Sequence, residues 1–159
     1  MSMEDLSSVL WREREQLETL LFKLEVEQLV LATGRTRWLP SAAREIEEIL
    51  DAVREIELLR AIAADAVAAD LGLEPNPSLS DIAEASPEPW RTIWLDHRET
   101  FTSVVAEVTA MAQNNRELLT SGYRAARETL LSMSETPGTY AADGSAVVER
   151  RRTIVDRSI

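Results

Sequence analysis

His97 is the single histidine of the chain, and the first residue to test for chemistry. A metal site or an acid–base relay needs partners for it: a second imidazole, a thiolate, or carboxylates at a matching spacing. The chain contains no cysteine, which removes disulfides, thiolate zinc sites and thiol nucleophiles together. Glu45, Glu48, Asp51 and Glu55 recur at helical steps and imitate a carboxylate metal face. The histidines that complete helical di-metal sites are missing, however. Ser121–Gly122 lacks the flanking pattern of a nucleophile elbow, and there is no glycine-rich phosphate loop. His97 therefore reads as a packed residue and the carboxylates as a solvated face. Trp90 and Trp94 read as packing at a bundle end rather than as a binding platform. Arg150, Arg151 and Arg152 read as a solvated basic stretch, with contact to an acidic partner as the second reading. The expectation is a protein that is not an enzyme and uses neither metal nor cofactor.

Bulk charge narrows the class further. The 159 residues include 28 acids and 17 bases, for a net charge of −11. A field of that sign repels nucleic acid and anionic membrane surfaces. No apolar run approaches the roughly 20 residues of a membrane span. The start, MSMEDLSSVL, holds acids where a secretory leader holds lysine or arginine. The expected location is the cytoplasm, with no nucleic-acid partner and no membrane span. Five glycines, 5% aromatics and an abundance of Ala, Leu, Glu and Arg are the composition of long helices.

Three long elements have to position these residues. Leu6, Leu10, Leu17, Leu20, Leu21, Leu24 and Leu31 fall at three- and four-residue steps, with a polar gap at Glu13–Arg14. That predicts an amphipathic helix over residues 2–33, stopped at Gly34. Trp38 and Leu39 are expected to fold back onto the bundle end. Ser41 is the predicted cap of a second helix over 41–71. Its stripe is Ile46, Ile49, Leu50, Val53, Ile56, Leu59, Ala63, Ala66 and Val67, and Gly72 ends it. Pro75 and Pro77 forbid helix in the crossover, apart from a short turn over 80–85 capped by Ser80 and expected to make few contacts. Ser86–Pro87 opens a third helix over 87–134. Along it Trp90, Trp94, His97, Phe101, Val104, Val108, Met111, Asn115 and Leu118 alternate in four-three steps, a heptad seam. The predicted fold is all-α: an elongated antiparallel three-helix bundle or coiled coil over 1–134, with a long third helix, followed by a flexible C-terminal tail over 135–159.

The predicted helix lengths do not match. At ~1.5 Å per residue the first two run to roughly 46–48 Å and the third to roughly 72 Å. The third is expected to outrun its companions over residues 119–134. That stretch is not polar all round: Leu119, Tyr123, Ala126, Leu130 and Met133 form one apolar stripe. Leaving such side chains in water forgoes about 1.5–3 kcal/mol each, and exposed apolar patches of this kind mark interaction surfaces. A bend or the chain's own tail covering the stripe is the second outcome, and homodimer formation through it the third. Asn115 then lies on the seam where the core ends. An amide there costs stability but specifies register.

Two words in the sequence add a resemblance. NNRELL stands in the third helix, after a proline-rich crossover, and TYAADG follows shortly after that helix. With these words the chain resembles the FlgN-type flagellar export chaperones. The matching residues are Asn115, Arg116, Leu118 and Leu119, then Tyr140, Asp143 and Gly144. The resemblance implies a chaperone that escorts hook-associated (hook–filament junction) proteins to the flagellar type III export apparatus, through the C-terminal part of the chaperone. The implied partner-binding residues are Leu118, Leu119, Tyr123, Ala126, Leu130, Met133 and Tyr140. Asn115, Arg116, Asp143 and Gly144 are the structural motif. The export apparatus itself is a second implied partner. A structural homo-oligomeric coiled-coil subunit, and a chaperone or adaptor for a different secretion client, are the alternatives.

Overall fold

A computed structural model of the chain describes residues 2–135. Every regular element among them is helical. Helix α1 (Met3–Ala32) begins at a reciprocal cap: the Ser2 hydroxyl accepts from the Asp5 amide at 3.1 Å, and the Ser2 amide donates to the Asp5 carboxylate at 2.9 Å. These bonds satisfy two of the groups every helix start leaves orphaned. A 3-10 turn (Thr36–Trp38) leads directly into α2 (Leu39–Leu71). The predicted Ser41 cap is not used; α2 starts two residues earlier with Pro40 in its first turn, where a missing N–H costs nothing. Trp38 stays half exposed under the Arg37 guanidinium, 4.6 Å from its ring centre, rather than folding back. Gly72 ends α2 at φ 72°, a left-handed conformation that glycine adopts without penalty.

The crossover differs from expectation in one useful respect. Ser78, not Ser80, caps the short helix α3 (Leu79–Ala85), again in a reciprocal pair with Asp81. The cap turns Leu79, Ile82 and Ala83 inward, and all three are buried in the core. Ser86 closes α3 instead of opening the next helix. It is buried, donates to the Ile82 carbonyl at 2.6 Å and accepts from the Trp94 indole N–H at 3.1 Å. Helix α4 (Trp90–Glu135) therefore starts three residues later than predicted. Pro87 and Pro89 contribute their carbonyls to its first bonds, from the Arg91 and Ile93 amides.

The chain divides into two compact units, residues 1–115 and 116–159. In the first, α1 and α2 run antiparallel, pinned by Lys23–Glu45 at 3.1 Å near one end and Glu13–Arg60 at 3.1 Å farther along. The core interleaves Leu6, Leu10 and Leu17 of α1, Val53, Ala63 and Val67 of α2, and Trp94, Phe101 and Val104 of α4, with α3 closing over it. The heptad seam is buried or half-buried from Trp90 through Asn115. In the second unit the described part is the helix through residue 135. No described helix is long and apolar enough to cross a membrane. The tail expected over 135–159, and the roles given to Tyr140, Asp143, Gly144 and Arg150–Arg152, lie outside the described residues apart from the helical backbone of Glu135.

Candidate functional site

Two places among the described residues hold side chains that packing alone does not account for. The first is a polar layer inside the bundle. The gap at Glu13–Arg14 is not a solvated break in the α1 stripe. Glu13 takes the four-three position between Leu10 and Leu17 and is buried. Its carboxylate accepts from Arg60 Nη1 at 3.1 and 3.2 Å. Arg60 in turn occupies the seam of α2 between Ile56 and Ala63, so Leu59, expected on the stripe, is turned out and 40% exposed. Burial pushes the Glu13 carboxyl above its usual range, and Arg60 opposes that push.

His97 belongs to the same layer. It is fully buried, between Trp94 and Phe101 at ring distances of 6.3 and 6.2 Å, with Trp11 edge-on at 5.1 Å. Arg14 Nη1 lies 3.3 Å from His97 Nδ1 and 3.1 Å from Asp96 Oδ2. A guanidinium can only donate, so Nδ1 is the acceptor and the neutral imidazole carries its proton on Nε2. Burial lowers the His97 pKa to about 4, with the Arg14 charge adding to the effect and Asp96 opposing it. Two carboxylates and two guanidiniums balance around a neutral ring. The layer holds charge in fixed pairs that tie α1 to α2 and to α4.

The second place begins at Asn115. Its side chain is buried, and Nδ2 donates to the Leu24 carbonyl and to the Glu27 carboxylate, both at 2.9 Å. Asn115 thus locks α4 against a single level of α1, as a polar seam residue does. Asn114, one position round, is exposed.

In the second unit every described side chain from 116 to 133 is exposed. Leu118, Leu119, Tyr123, Leu130 and Met133 range from 37% to 64% exposure, and Ala126 is exposed with them. Leu119, Tyr123, Ala126, Leu130 and Met133 share one helix face by their four-three spacing. Leu118 lies at the edge of that face. Leu131, 44% exposed, falls outside it and was not read from the sequence, because it breaks the period. Arg116 is exposed, and Tyr140, Asp143 and Gly144 lie beyond the described residues. The geometry is a helix with an apolar face and no described partner for it.

The family model described as FlgN protein matches residues 1–147. No curated protein matches, and no solved structure matches.

Proposed function

The chain belongs to the FlgN family of flagellar export chaperones, and from that premise we propose that its clients are hook-associated proteins, held through the apolar face of α4 until they are exported. The supporting observation is the exposed face itself. Leu119, Tyr123, Ala126, Leu130 and Met133 stand in water at helical spacing, on a helix whose seam from Trp90 through Asn115 is buried or half-buried. A partner that lays an amphipathic helix on this face recovers about 1.5–3 kcal/mol per large side chain. Tyr123 and Leu130 are the anchors, as large side chains near the centre of the face. Leu118 and Met133 extend the contact, and Tyr140 joins the set on the family resemblance.

Covering the client's apolar face keeps it from polymerising or being degraded before export. The client segment orders as it binds, which costs about 2–5 kcal/mol of the gross interaction. The resulting affinity is moderate and suits release at the export apparatus, the second proposed partner. The complex acts in the cytoplasm, on the near side of the export gate.

The test is a pull-down of purified hook-associated proteins from the same genome, with wild type and Leu130→Asp compared. The expected result is retention by wild type and loss by Leu130→Asp, with helicity and melting temperature nearly unchanged. Retention by the variant sinks the assignment of the face. A wild-type chain that sediments as a stable dimer, dissociated by Leu130→Asp, supports a structural coiled-coil subunit instead.

A further inference from the structure

Gly122 has no reason to be glycine within the described chain. It lies inside α4, in helical backbone. It is not among the glycines in the left-handed region, Gly34 and Gly72. A Cβ built on it meets nothing within 4 Å. Neither backbone conformation nor internal packing asks for it. Yet glycine is the poorest helix former after proline, and it stands in a stretch of exposed side chains, where helix stability leans most on propensity.

Its position on the helix supplies the missing reason. At 3.6 residues per turn, Leu118, Gly122 and Thr129 form one margin of the apolar face. Arg116 and Arg127 form the other. Among the described residues, no ion pair holds Arg116, Arg124 or Arg127. The face therefore has one margin with a gap at Gly122, where another backbone can come close, and a cationic margin. A helix whose backbone is to be approached uses glycine for that purpose.

We propose, resting on the client-binding reading of this face, that Gly122 is the close-approach point for the client helix and that Arg116 and Arg127 select a client edged with carboxylates. The two arginines are eleven positions apart, three turns or roughly 16 Å at 1.5 Å rise. The client helix then carries acids at a matching separation and a small residue over Gly122. Charge decides the occupant. Residues 136–159 hold Asp143, Glu149 and Asp156 against Arg150, Arg151, Arg152 and Arg157, an excess of one positive charge that complements an arginine margin less well than a carboxylate-edged helix does. A second copy laid stripe to stripe brings no carboxylate from residues 116–133 to that margin, since Glu117 and Glu128 fall on the side of the helix away from the face.

The experiment is calorimetric titration of the full-length chain with the purified hook-associated protein retained in the pull-down, alongside thermal melting. Gly122→Ala is expected to raise the melting midpoint by about 2–4 °C and to weaken binding by about tenfold or more, and Gly122→Leu to weaken it further. Arg116→Glu with Arg127→Glu is expected to weaken binding and flatten its salt dependence. If both Gly122 variants bind as wild type while Leu130→Asp does not, the close approach is refuted and the client face stands. If Leu130→Asp also binds as wild type, both readings fall. A photo-crosslinker at position 123 of the full-length chain, irradiated with and without the client, tests the other occupants. Cross-links to residues 136–159 or to a second copy overturn the proposal; cross-links that appear only with the client support it.

Discussion

Glu13 and Arg60 occupy seam positions where leucines would pack, and their pairing decides what each is worth. Glu13 is nearly sealed from solvent, while Arg60 keeps about a third of its side chain exposed. Removing one partner of a buried pair leaves a charge without compensation, which costs about 3–5 kcal/mol. Arg60→Met is therefore expected to destabilise by the lower end of that range, because Arg60 is partly wet. Glu13→Leu with Arg60→Met should recover most of the loss; urea unfolding of the two single variants and the double variant measures the coupling. His97 carries a pH prediction. Its folded pKa of about 4 lies below the unfolded value of 6.5, so below pH 6.5 the unfolded chain takes up a proton that the folded chain refuses. Stability should fall as pH drops from 6.5 and level off below 4, a loss of about 3 kcal/mol from this group. Glu13, with its carboxyl pushed up, works in the opposite direction as acid is added. Comparing wild type with His97→Phe by thermal melting between pH 7 and 4.5 isolates the histidine: the stability difference between the two should shrink or reverse as the pH falls. A constant difference would refute the buried neutral imidazole.

At the scale of elements, α3 looks minor in sequence and is not. Its seven residues cover the end of the core with Leu79, Ile82 and Ala83, and they are aimed by the Ser78–Asp81 cap. Loss of a helix cap of this kind costs about 1 kcal/mol. Ser78→Ala should lower stability by that amount, read as a drop in melting midpoint, with hydrogen exchange quickened first in α3. A uniform loss across all helices would mean that α3 opens only with the whole bundle. The turn at Gly72 was legible from residue type alone, because few residues other than glycine sit comfortably at φ 72°. The caps at Ser41, Ser80 and Ser86 were misread. Ser41 and Ser80 fall inside helices that start earlier, and Ser86, although extended at φ −91° and ψ 144°, spends its hydroxyl on the Ile82 carbonyl and the Trp94 indole.

For the molecule as a whole, the contrast is between a sealed seam and an open one. Leu10, fully buried in the core, is expected to cost about 2–5 kcal/mol when cut to alanine. Leu130, on the exposed face, should cost almost nothing to stability when changed to aspartate and should abolish client binding. Denaturant unfolding and the pull-down, run on the same two proteins, separate folding from function. Leu10→Ala, where it still folds, should retain the client. Equal destabilisation by both changes would place Leu130 in the fold rather than in the face.

By itself, the sequence determined the class of the protein. Helical periodicity, the glycine stops and the heptad seam through Asn115 follow from the 3.6-residue turn, which any reader of the chain can count. The apolar face of Leu119, Tyr123, Ala126, Leu130 and Met133 was legible for the same reason. The tertiary structure decided which polar residues lie inside. Glu13 and Arg14 read as a polar gap in the α1 stripe, and Arg60 draws no notice, because burying a charge is costly. They are tolerated inside because residues 47 positions apart in one case, and 82 in another, come within hydrogen-bond distance. Such pairings have no periodic trace in a linear sequence; they exist only once the helices are packed.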